Sequence, residues 1–126
     1  MKLKDDFFRV TGTNKTATGA DYTVELNPEH FIYQAHFPGN PVTPGVCIIQ
    51  IVKELTEELL QAPLFLKIVK NAKFTQVINP LQNREVIFAV SVSQENEGDC
   101  RVNACVESNG VSFAKLSIFF ATNSRK

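Results

Sequence analysis

From Val46 to Leu60 the chain carries neither glycine nor proline, and its first turn and a half (Val46, Cys47, Ile48, Ile49, Ile51, Val52) is apolar on nearly every side. The spacing predicts a helix whose beginning is buried all round and whose stripe of Ile48, Ile51, Val52, Leu55 and Leu59 continues that contact. Lys53, Glu54, Glu57 and Glu58 gather away from the stripe, on what reads as a solvated face. Pro44 suits the first helical position, Thr43 is the expected N-cap, and Pro63 marks the stop. A helix apolar on so many sides cannot rest on a flat layer. It needs a sheet curved around it.

The rest of the sequence supplies such a sheet. Before the helix, ADYTVEL alternates, with Tyr22, Val24 and Leu26 on one face. Phe7, Phe8 and Val10 anchor a shorter first element of uncertain type, TGTNKTATG reads as a polar turn, and HFIYQAHF as a brief extended piece. After the helix, four strands in a meander are expected: LFLKIVKNAKFTQVI, broken at Asn71, then EVIFAVSVSQ, the Cys100–Val106 run and VSFAKLSIFFA. ENEGD and Ser108-Asn109-Gly110 are the hairpin turns, Asn-Gly being suited to type I′. The last strand is apolar on both faces, which calls for more cover than one small domain gives and predicts a dimer. With no repeat or linker, residues 1–126 form a single α+β domain.

Composition narrows the partners. Lysine plus arginine and aspartate plus glutamate both number 13, so the net charge is zero, and no surplus of positive charge points to nucleic acid. No apolar run is long enough to span a membrane, and MKLKDDFFRV lacks the apolar centre of a secretion signal. The cysteines, Cys47, Cys100 and Cys105, form no metal-ligand spacing and fit a reducing, cytoplasmic setting. No metal site is expected, and Cys47 reads as core.

The stretch QAHFPGNPVTPGVCIIQ, residues 34–50, raises the functional question. Pro38, Pro41 and Pro44 stiffen a loop that begins with a histidine and leads into the helix, while Gln50 is sunk among isoleucines. Helix-start amides have no partner inside the helix and point at any negative charge that develops there. Neutral imidazole is a suitable base near neutral pH.

The sequence His36-Phe37-Pro38-Gly39-Asn40-Pro41, followed by Pro44-Gly45-Val46, resembles the signature of the 3-hydroxyacyl-[acyl-carrier-protein] dehydratases. The flanking LNPEHFIYQAHFPG and NAKFTQVINP are similar as well, so the resemblance covers roughly residues 20–120. It implies the hot-dog fold, in which a curved antiparallel sheet wraps one long central helix. It also implies dehydration of a 3-hydroxyacyl thioester to the trans-2-enoyl thioester. His36 would remove the α-proton, and Gly39, Gly45 and Val46 would bind substrate, the backbone amides of Gly45 or Val46 receiving the thioester carbonyl. The substrate would arrive on the phosphopantetheine arm of acyl-carrier protein, with no further cofactor. A homodimer or higher even oligomer, or a heterodimer, would be the working form.

Two positions depart from the pattern. Ala35 stands where glycine is common in the family, and Gln50 stands where the family has its catalytic acid. A primary amide can hold a water or donate to the 3-hydroxyl, but it hands over no proton. Glu54, one helical turn on, is the candidate for a displaced acid. Three readings therefore stay open. One is a dehydratase with altered acid chemistry. Another is a weak or inactive acyl-thioester-binding homologue, or heterodimer partner, in a lipid or polyene pathway. The third is a hydratase or thioesterase on the same fold. Gln50 also reads as a buried amide tied to the loop, and His30 as a surface turn residue. Most phenylalanines, Phe31 and Phe119 among them, read as core. Lys67, Lys70, Lys73 and Arg84 read either as a rim that steers an acidic carrier protein or as an ordinary solvated strand face.

Overall fold

A computed structural model describes residues 2–35, 39–94 and 98–122. Strands β1 (Phe8–Lys15) and β2 (Gly19–Leu26) come first, then helices α1 (Phe31–Ala35) and α2 (Gly45–Leu60). Strands β3 (Phe65–Phe74), β4 (Glu85–Gln94), β5 (Asp99–Ser108) and β6 (Val111–Ala121) complete the chain. They form one antiparallel sheet in the order β1-β2-β4-β5-β6-β3. This is the α+β hot-dog architecture expected from the sequence, one long helix packed on a six-stranded sheet.

Alternation places the core. Tyr22, Val24 and Leu26 on β2 share one buried cluster with Val86, Phe88 and Val90 on β4. Val102, Ala104 and Val106 on β5 and Leu116, Ile118 and Phe120 on β6 extend it. Helix α2 lays Ile48, Ile51, Val52 and Leu55 into this surface. At about 25 cal/mol per Å² of apolar surface, such burial is the dominant favourable term. Asn109 and Gly110 both take positive φ, 53° and 79°, as a type I′ turn requires, and join β5 to β6.

Several expectations are corrected. The post-helix strands are not a four-strand meander: β3 crosses over to pair with β6, and β2 takes the place beside β4. The segment read as a polar turn is largely strand β1, polar because it is an edge with one solvated face. Only Thr16–Thr18 turn. Residues 31–35 are helical rather than extended. Pro44, not Thr43, is the N-cap of α2, with extended φ and ψ of −65° and 146°. The start of α2 is not buried all round, since Val46 is 70% exposed. Phe31 is exposed as well, while Phe88, Phe113 and Phe120 are core as expected. Phe119 is only half-buried, on the outer sheet face, where Lys70 and Arg101 lie over its ring.

Candidate functional site

The expected base, His36, lies outside the described residues, as do Phe37 and Pro38. The chain on either side is well defined. Three residues before His36, Tyr33 is buried and stacks on Phe7 with ring centroids 4.9 Å apart. Its hydroxyl pairs with Thr43 Oγ1 at 2.8 Å, and the Thr43 amide donates to the Ile78 carbonyl at 2.9 Å. Burial drives the Tyr33 phenol well above its ordinary value, with the Thr43 bond pulling the other way. The phenol therefore stays a neutral partner that fixes the entry and exit of the loop. Thr43, expected as a helix cap, serves this clamp instead.

The first amides of α2 stand outside its helical ladder, as at any helix start. Cys47 and Ile48 both donate to the Pro44 carbonyl, at 3.0 and 3.2 Å, so the N–H groups of Gly45 and Val46 precede the helical ladder. A Cβ on Gly45 would lie 3.1 Å from Phe74 Cζ, so the glycine admits an aromatic ring from the end of β3 against the helix start. Phe74 itself is 45% exposed. On the other side of the loop, Tyr33, Gln34, Gly39 and Pro41 line a cleft of about 440 Å³ with Leu81 and Arg84.

Glu54 is the largest surprise. Read as solvated, it is only 6% exposed. Its Oε2 accepts the Leu3 amide at 2.7 Å and the Gln50 side-chain Nε2 at 2.8 Å, and its Oε1 accepts the Lys4 amide at 2.8 Å. The N-terminal segment, anchored by the buried Leu3, Phe7 and Phe8, thus folds over the face of α2 that carries Gln50. Val46, Gln50 and Glu54 share that face at successive turns. No sequence signal exposes this, because backbone amides of residues 3 and 4 have no side-chain signature.

The remaining candidates separate. His30, read as a surface residue, is 7% exposed, with Nδ1 accepting the Ile32 amide at 3.1 Å and Nε2 facing Asp6 at 3.2 Å. It packs edge-on to Phe7 and braces α1. The four basic residues do not form one rim. Lys67, paired with Asp99, lies with Lys70 and Lys73 on β3, whereas Arg84 lies at the start of β4 beside Glu25. Among the described residues, no three potential metal ligands converge, and no helix is long and apolar enough to cross a membrane.

A family model described as ApeI dehydratase, ApeI-like, matches residues 12–114. The 3-hydroxyacyl-[acyl-carrier-protein] dehydratase FabZ of Lactobacillus helveticus (strain DPC 4571) is 30% identical over 110 residues, 82% of this chain and 73% of that protein. The FabZ of Pediococcus pentosaceus is 30% identical over 114 residues, 85% and 75% of the two chains. Among solved structures, a chain of the dehydratase heterocomplex ApeI:P from Xenorhabdus doucetiae superposes with a TM-score of 0.75 at 18% identity. The match covers 89% of this chain and 96% of that one. An uncharacterized protein from Erwinia carotovora subsp. atroseptica gives 0.68 at 17% identity over 92% and 94%. At these identities the structural matches speak for the fold.

Proposed function

The chain belongs to the ApeI-like dehydratase family, and from that premise we propose that it is an acyl-thioester-binding dehydratase subunit that needs a second hot-dog chain for efficient turnover. A 3-hydroxyacyl thioester, delivered on carrier protein, would seat its carbonyl against the Gly45 and Val46 amides, where oriented dipoles favour the enolate. His36 would face the α-proton. Gly39 would let the loop turn close to the ligand, its φ of 85° being one that side chains rarely adopt.

The observation that carries this reading is Gln50. By the resemblance it stands where the dehydratases hold their acid, and its amide nitrogen donates to the Glu54 carboxylate. An amide donates no proton to a departing hydroxyl, and loss of a general acid costs roughly 10² to 10⁴ in rate. Glu54 is a poor substitute, because three N–H groups already use its oxygens as acceptors. A second chain would bring the missing acid. Support for pairing comes from β3, an edge strand that leaves Leu66, Ile68 and Phe74 exposed. An apolar unpaired edge is a template for another strand. The heterocomplex named for the structurally similar Xenorhabdus protein is consistent with such pairing.

A self-sufficient dehydratase is the second reading, favoured by the names of the FabZ relatives. The two separate when the purified chain is incubated with a medium-chain 3-hydroxyacyl thioester on carrier protein and the products are weighed by mass spectrometry. The subunit reading expects a bound thioester and little or no enoyl product. Rapid turnover that His36→Ala abolishes would replace it with the self-sufficient enzyme. Absence of both binding and turnover would remove both.

A further inference from the structure

His30 is a buried titratable side chain that the acyl-thioester chemistry leaves unused, and it directly precedes α1, the helix that leads into the proline-rich loop. Its Nδ1 accepts the amide of Ile32, the second residue of α1, at 3.1 Å, and its carbonyl accepts the Tyr33 amide at 3.0 Å. That is the pattern of an N-cap, made here by an imidazole in place of the usual Ser, Thr, Asp or Asn. A nitrogen that accepts carries no proton, so the neutral ring bears its proton on Nε2 and donates it to Asp6 Oδ2 at 3.2 Å. Asn27 holds the two together: its Nδ2 donates to the Asp6 carbonyl at 2.9 Å, and its carbonyl accepts the His30 amide at 3.2 Å. Phe7 packs edge-on to the ring and Phe31 stacks on it. Asp6 is the charged group that faces the imidazole; Asp5, Arg9, Glu25 and Arg84 line the cleft beyond it, and Glu29, next in the chain, is exposed.

We propose that His30 is a titratable N-cap and a positioning residue: neutral, it holds α1 and the Tyr33 clamp in the form that receives the thioester, and protonated, it releases them. Protonation puts a hydrogen on Nδ1, where the Ile32 N–H already points. Two donors then face each other, and the cap is lost. The Asp6 carboxylate pairs with Nε2 in either state and offers Ile32 no substitute acceptor. An asparagine at this place would cap at every pH, whereas histidine caps only while neutral. Tyr33 follows Ile32, and its phenol reaches Thr43 on the far side of the loop, so loosening of α1 is passed to the segment that leads into α2. The link to substrate rests on the acyl-thioester reading; the titratable cap does not.

The test follows the full chain by NMR from about pH 8 to pH 5, the range in which histidine titrates. It reads the His30 ring nitrogens and the exchange protection of the Ile32 and Tyr33 amides. Calorimetry measures affinity for a medium-chain 3-hydroxyacyl pantetheine thioester at the same pH values. In wild type, protection at both amides should fall about fivefold in step with ring protonation, the worth of one cap, and affinity should fall over the same range. His30→Asn, whose Oδ1 accepts an amide at every pH, should keep protection level and lose less affinity in acid. Should that variant not fold, the wild-type protection decides alone. A ring that stays neutral down to pH 5, or one that protonates with Ile32 protection unchanged, would overturn the proposal. So would an affinity loss as steep in folded His30→Asn as in wild type, since another group, such as His36, would then be its source. Binding at no pH would overturn the acyl-thioester reading instead and leave the cap standing on its exchange data.

Discussion

Replacing Glu54 by alanine probes the tie between the N-terminal segment and the central helix. Three N–H donors converge on this carboxylate within 2.7–2.8 Å, two of them backbone amides. Hydrogen bonds to a charged group contribute about 1.5–3 kcal/mol each, and an orphaned buried donor costs about 1–3 kcal/mol. Gln50 can turn to other partners, and alanine also relieves the cost of burying a charge. The two backbone bonds are then the part that counts, and the expected loss is about 3–5 kcal/mol. Against a total stability of about 5–15 kcal/mol this is a large fraction. Urea unfolding should show the midpoint falling at an unchanged slope. Hydrogen exchange should rise first at Leu3 and Lys4, since the segment can peel away before the sheet opens. A loss below about 1 kcal/mol, or unchanged exchange at these amides, would refute the reasoning.

Other outcomes follow from the same geometry. Tyr33→Phe keeps the stack on Phe7 but removes the bond to Thr43, so stability should drop by about 1 kcal/mol while thioester affinity falls as the loop loosens. Unchanged affinity would deny the clamp. Burial raises the thiols of Cys47 and Cys100, whereas Cys105 is exposed, so a thiol reagent at pH 8 should modify Cys105 fast and the other two only after unfolding. Fast native modification of Cys47 or Cys100 would contradict their burial. Tyr33 and Tyr22 are raised too, also by burial. All four groups keep their protons longer when folded. Their contribution is whole below the unfolded values, near 9.0 for cysteine and 10.0 for tyrosine, and is lost as pH rises beyond them. Unfolding free energy should therefore decline above about pH 9, and a rise there would be the contrary result. On β3, Leu66→Lys with Ile68→Lys should dissociate any assembly seen by light scattering, with the monomer still folded.

The fold was legible because each element speaks locally. The apolar opening of α2, the alternation of Val86, Phe88 and Val90, and Asn109-Gly110 each demand one conformation. Their sum demands a sheet on a helix. Pairing order was not legible. β3 reads like any strand, and only the crossover over α2 puts it beside β6 rather than β4. Of the candidate site, the prolines, Gly45 and Gln50 could be read from one stretch of chain. The brace on Glu54 could not, for it joins that residue to amides some fifty positions away. Its charged neighbours make Glu54 read as solvated, although it is buried. The Tyr33–Thr43 bond is not legible either, because it pairs residues on opposite sides of the proline-rich loop.

Placing a carboxylic acid at position 50 tests the central claim most directly. Single-turnover dehydration of a 3-hydroxyacyl thioester on carrier protein, followed by mass spectrometry, compares wild type, Gln50→Glu and Gln50→Glu with His36→Ala. The account predicts little product from wild type, a gain of at least about a hundredfold in Gln50→Glu, and its loss when His36 is removed. Wild-type turnover as fast as that of Gln50→Glu would contradict it.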